Sequence, residues 1–199
     1  KNKVLPIGGG LWIPIMHPEL RISPPYTEWH FSGDTVRMPE FCAPALGNRA
    51  NVVTLDVDVP DAASGVLYKL GAGSGGLTLF MDDGHLCYEY NLFIVMRTKI
   101  RSEQPLSAGR CTIEVRTVPQ KPRPGSPLDI TITRDGAVVA QGVVPISVPL
   151  LFTANDCLDF GIAHGSPVSM DYYDRMPFAF TGTLHHAHVR YLLPDATDA

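Results

Sequence analysis

The chain has 199 residues, 45% of them hydrophobic and 18% charged, which suits one domain with a real core and argues against intrinsic disorder. With 18 Gly and 18 Pro, long regular helices are excluded and an all-β chain rich in turns is expected. The net charge of −4 gives no basic footprint, so nucleic acid and anionic membranes are not expected as partners. No apolar run approaches a membrane span, and no signal peptide is present. Those two absences favour the cytoplasm, although a chain that begins at Lys1 rather than Met reads as trimmed.

Residues 1–50 read as an extended Pro-rich strap. Pro6, Pro14, Pro18, Pro24, Pro25, Pro39 and Pro44 interrupt every run, which predicts neither ladders nor helices of any length. Trp12, Trp29 and Phe31 still need burial, so the strap is expected to lie across a surface and to offer these three as a candidate interaction surface. From Asn51 the pattern turns to strands, and residues 51–193 are read as one β-sandwich with a tail at 194–199. Val53, Leu55, Val57 and Val59 alternate with polar residues, and short strands follow at 65–70 and 77–81. Asp82-Asp83-Gly84 and Asp135-Gly136 read as hairpin turns. The strand at 85–93 places Leu86, Tyr88, Tyr90 and Leu92 on one side. Further strands are expected at 99–102, 111–118, 128–132, 137–141 and, last, 178–193. Turns every eight to twelve residues predict two packed antiparallel sheets, a jelly-roll or concanavalin-like sandwich.

Several groups resemble chemistry. Gly71, Gly73 and Gly76 have G-x-G-x-x-G spacing, but a strand rather than a helix follows, so they read as a flexible connection and not a dinucleotide site. His186, His188 and Arg190 share one strand face, with Ala187, Val189 and Tyr191 on the other. His186 and His188 could hold a metal if a neighbouring strand supplied a third ligand, and a solvated polar face is the plainer reading. Asp156, Asp159, Asp171 and Asp174 lack a fixed calcium-loop pattern. Glu89 and Glu114, as a glycosidase pair, fall on faces assigned to solvent. Cys42, Cys87, Cys111 and Cys157 are read as buried free thiols, although four cysteines permit three disulfide connectivities. These residues assemble no catalytic constellation.

The late segment, Gly161-Ile162-Ala163-His164-Gly165-Ser166-Pro167-Val168-Ser169, then Asp171-Tyr172 and 176–184, resembles the C-terminal region of large bacterial arylsulfatases. Leu86-Cys87-Tyr88-Glu89-Tyr90-Asn91-Leu92-Phe93 is similar to a strand of that family, as are Asn48-Arg49, Pro105-Leu106 and Ala108-Gly109, while Val4-Leu5-Pro6 looks like the exit from its catalytic domain. The resemblance implies a C-terminal accessory β-sandwich of a sulfuric ester hydrolase, with a structural or substrate-approach role. It also implies a sulfatase catalytic domain as partner, in cis or in trans. That family's divalent cation, such as calcium, belongs to the catalytic domain, so no cofactor is expected here. Cys42-Ala43-Pro44-Ala45 begins like the formylglycine motif, but Leu46 stands where that motif has Arg. A carbohydrate-binding module and a stand-alone interaction protein are the rival functions. Glycan or a second copy of the chain are the corresponding partners.

Overall fold

The computed structural model describes residues 26–152 and 156–192. Its strands are β1 (Glu28–Ser32), β2 (Met38–Pro39), β3 (Asn51–Val59), β4 (Gly65–Ala72), β5 (Gly75–Asp82), β6 (His85–Leu92), β7 (Met96–Arg101), β8 (Gly109–Pro119), β9 (Leu128–Arg134), β10 (Ala137–Val144), β11 (Cys157–Phe160) and β12 (Thr183–Tyr191). A 3-10 helix, Met170–Arg175, is the helical element among the described residues, and none there is long and apolar enough to cross a membrane. Two antiparallel six-stranded sheets pack face to face as expected. Sheet A runs β1-β12-β3-β8-β9-β10 and sheet B runs β2-β11-β4-β5-β6-β7. Alternation decides the inner face: Val53, Leu55, Val57 and Val59 meet Leu77, Leu79, Tyr88 and Tyr90 in one core. Both Asp-Gly hairpins form, with positive φ at Asp83, Gly84, Asp135 and Gly136 as tight hairpin turns require.

Three expectations are corrected. The Pro-rich strap does form ladders, since β1 pairs with β12 and β2 with β11. The reason lies between Pro25 and Pro39, a proline-free stretch in which Trp29 and Phe31 alternate with Glu28, His30 and Ser32. The strand expected over 178–193 begins only at Thr183. Residues 178–182 belong instead to a segment, 161–182, that lies across the outer face of sheet B. Gly65 permits this approach, since its φ is +113° and a Cβ there would stand 2.2 Å from the Ala179 carbonyl oxygen. Glu89, assigned to solvent, is fully buried beneath the same segment.

The cover has an apolar and a polar half. Val66, Phe80, Cys87, Ala163, Tyr172 and Phe178 form a second hydrophobic cluster, with Tyr172 stacked on Phe178 at 5.3 Å and edge-on to Phe80 at 5.2 Å. Beside it, ladder pairing sets Asp159, Lys69, Thr78, Glu89 and Lys99 in one row across five strands. The Lys69 ammonium lies 3.3 Å from Asp159, both 1% exposed, and donates to the Gly71 carbonyl. Asp159 also accepts from the Arg37 and His164 amides. Glu89 accepts from Arg97 at 2.7 Å and from the Ser169 hydroxyl. Removing one partner of a buried pair strands the other charge in low dielectric. Lys69→Met is therefore expected to lower stability by about 3–5 kcal/mol in urea titration. A loss below about 1 kcal/mol would show that water reaches Asp159.

Candidate functional site

With the outer face of sheet B covered, the open surfaces are the outer face of sheet A and the sandwich edges. One edge forms a cleft. The chain leaving β7 turns through Glu103–Ser107 and passes beside β10, whose ladder breaks between Val138 and Ala140. Such a bulge bends a strand and re-aims its side chains. The two edges can approach because Gly142 carries no side chain: a Cβ there would sit 2.8 Å from Ile100. The resulting cleft has a volume of about 620 Å³ and is lined by Arg101, Gln104, Arg134 and Gln141 against Pro105 and Val138. That size lies within the range of small-molecule sites.

The polar groups of the cleft differ in how far they are already engaged. Arg134 donates to the Ser107 carbonyl and hydroxyl and lies 3.6 Å from Asp135, so it is largely committed to the wall. Arg101, Gln104 and Gln141 have side chains free of such bonds among the described residues. Val138 is 58% exposed and gives the cleft an apolar wall with Pro105. A guanidinium and two amides beside an apolar wall suit a ligand with many hydroxyls and a less polar ring face.

The outer face of sheet A is polar, as alternation predicts. His186, His188 and Arg190 point outward, while Ala187 and Val189 are fully buried and Tyr191 nearly so. Asp56 accepts a two-pronged bond from Arg110, which holds its carboxyl below the usual range. Thr54 donates to Glu114 at 3.0 Å, and a bulge at His185 lets that ring meet Asp58 at 2.6 Å. The expected pair of His186 and His188 does not converge with a third ligand; His188 instead meets two residues of β1. Glu28, His30 and His188 bring ligand atoms within 4.8 Å of one another, the group of this kind found among the described residues. Reading 1–50 as a strap conceals it, although the alternation of 28–32 is a usable signal.

The other candidates read from the sequence disperse. Asp159 is paired with Lys69 and Asp171 with Lys99 at 2.5 Å, so these carboxylates are spent on the cover. Glu89 is buried and Glu114 lies on the open face of sheet A, hence the two face no common cleft. Gly71 and Gly76 stand in β4 and β5, and the G-x-G-x-x-G stretch forms a close hairpin rather than a flexible connection. All four cysteines are free. Cys87 is buried, and burial pushes its thiol up to about 11, but Cys42 is exposed, against expectation. Of the candidate interaction surface, Phe31 lies in the core 5.1 Å from the Phe160 ring, and Trp29 packs edge-on to Tyr191 at 4.8 Å. Trp12 lies outside the described residues.

No protein-family model and no curated protein matches the chain. Among solved structures it is similar to the LG4-5 domains of the mouse laminin alpha1 chain, with a TM-score of 0.51 and 18% identity over 89% of this chain and 48% of that one. The chain thus spans about half of that laminin structure. A Caenorhabditis elegans galectin, LEC-6, aligns with a TM-score of 0.46 and 14% identity over 81% of this chain and 96% of that one. The LG1-3 region of the laminin alpha2 chain gives 0.43 and 14% over 81% and 28%. The expectation of a sulfatase or hydrolase is corrected by the laminin alpha1 match, whose shared β-sandwich fold is that of a non-catalytic domain. The chain is thus an antiparallel β-sandwich that shares its fold with that laminin structure.

Proposed function

We propose that the chain is a non-catalytic carbohydrate-binding module whose ligand enters the cleft between β7 and β10. The observation that carries this reading is the set of unengaged donors, Arg101, Gln104 and Gln141, beside the apolar wall of Pro105 and Val138. Sugar hydroxyls pair with guanidinium and amide groups in fixed directions, and the C–H face of the ring covers apolar surface. The unengaged Arg101 guanidinium favours a sugar with an acidic substituent. Aromatic stacking does not contribute, because the cleft lining contains no aromatic ring. Binding to an array of neutral and sulfated or carboxylated oligosaccharides tests the proposal. Arg101→Ala and Gln141→Ala should each weaken the best ligand about tenfold, as for lost bonds of about 1–2 kcal/mol, without moving the melting temperature. An array with no binding, or variants that bind as the parent does, would refute it.

A second reading, a protein-docking module, is favoured by the loop between β6 and β7. Phe93, Ile94 and Val95 are exposed there in sequence, and Phe93 and Ile94 have φ of 49° and 67°. A β-branched residue in the left-handed region is strained, and Asn tolerates it better. Ile94→Asn should therefore raise stability by about 1 kcal/mol in urea. If the strained apolar tip serves self-association, the same variant dissociates the chain in sedimentation velocity. A monomer for both proteins removes this reading.

A further inference from the structure

The geometry points to a zinc-class metal site at the edge of sheet A, formed by Glu28 and His30 of β1 with His188 of β12. This goes beyond the carbohydrate reading and does not depend on it. Residues two apart in a strand share a face, so Glu28 and His30 both project outward from β1. The antiparallel register sets His30 directly opposite His188. Glu28 Oε1 then lies 2.6 Å from His188 Nε2 and 3.4 Å from His30 Nε2. Both Nε2 atoms thus face the one carboxylate, while the two imidazoles stack at 4.4 Å with their planes 3° apart, so the exposed His30 ring must turn for both in-plane lone pairs to meet at one ion.

Ligand chemistry selects the metal. Two imidazoles and a carboxylate form a borderline donor set that prefers zinc, and its neighbours cobalt and nickel, over calcium or magnesium. Tetrahedral zinc, with bonds of ~2.0–2.1 Å, holds adjacent donor atoms ~3.3 Å apart. The Glu28–His30 separation of 3.4 Å already fits. The Glu28–His188 separation of 2.6 Å is a hydrogen bond, which a cation replaces as the carboxylate withdraws and the His30 ring turns. That adjustment disturbs little packing, because the side chains of Glu28 and His30 are 56% and 60% exposed. His186 supplies the outer partner. Its Nε2 lies 3.3 Å from His30 Nδ1, so His30 can donate from Nδ1 to His186 while Nε2 binds the metal. Three protein ligands leave a fourth position for water or for an oxygen or nitrogen atom of a bound molecule.

Equilibrium dialysis of the metal-stripped full chain against zinc chloride tests the site. One zinc should bind in the micromolar range, and cobalt should give the visible absorption of a tetrahedral centre. His30→Gln, His188→Gln and Glu28→Gln should each weaken zinc binding tenfold or more, with unchanged circular dichroism. Should a histidine variant misfold, Glu28→Gln keeps the test, because it preserves size and removes only the anionic ligand. Cys42→Ser and His185→Gln, which remove other exposed ligands, should leave the affinity unaltered. Absence of zinc binding, retention of full affinity in both histidine variants, or loss of it in Cys42→Ser would each overturn the assignment. Glycan binding in the cleft is measured separately with the Arg101 and Gln141 variants, so either result can fail without the other.

Discussion

The row of side chains that crosses sheet B, Asp159, Lys69, Thr78, Glu89 and Lys99, constrains everything outside the central core. Four of its five members are charged, and three of those four are at most 1% exposed. A buried charge is tolerable only with a partner and hydrogen bonds to its remaining positions. The ladder supplies one partner, as where Lys69 meets Asp159, but it cannot complete Glu89. That carboxylate needs the Ser169 hydroxyl, and Ser169 lies in the covering segment. Arg97 adds a second tie by bonding Glu89 and the Val168 carbonyl through one nitrogen. The apolar cluster around Phe80, Tyr172 and Phe178 supplies attraction without direction, and the polar row fixes the position in which the segment docks.

That fixed cover decides where ligands can approach. A sandwich of this shape has two outer faces, and here one is filled by its own chain. Recognition is left to the outer face of sheet A and to the edges where strands end or bulge. The cleft beside β10 and the histidine group beside β1 are accordingly at opposite edges of sheet A. They differ in kind. The cleft combines volume with unengaged donors, whereas the histidine group has converging ligand atoms and almost no enclosure.

How much of this is legible in the sequence follows from burial. In β3, β8, β9 and β12 one face is wet, so hydrophobic residues alternate and their strands stand out. Strands β4, β5 and β6 are buried on both faces, yet in β6 Glu89 and Asn91 still alternate with Tyr88, Tyr90 and Leu92, which makes Glu89 look like an ordinary solvent residue. The apolar runs Val66–Tyr68 and Leu79–Met81, which leave neither face polar, are a sign that something covers β4 and β5. The covering segment gives no periodic signal because it is held by single contacts rather than by ladders. Strand β11 escapes notice for a related reason: with four residues, Cys157–Phe160, it is too short to show a period. The cleft is invisible because Arg101 and Gln141 meet only through the packing of two edges far apart in sequence.

Strand β1 shows how one short segment can serve stability and chemistry together. It is an edge strand of five residues paired only with β12, the kind of element that frays or recruits foreign strands. Its inward face answers the first hazard by placing Phe31 in the core and Trp29 against Tyr191. Its outward face answers the second with Glu28, His30 and Ser32, polar groups that discourage a sheet edge from extending. A cation held between Glu28 and His30 on one strand and His188 on the other would cross-link that pair where backbone pairing is weakest. Binding of that kind adds to the stability of the state that binds, in proportion to the logarithm of free metal. The extra stability would be local, since β1 can peel from β12 while the sandwich core behind it stays closed. Amide exchange across β1 is therefore the property that metal occupancy would slow most, and exchange in β8 and β9 the property it would leave alone.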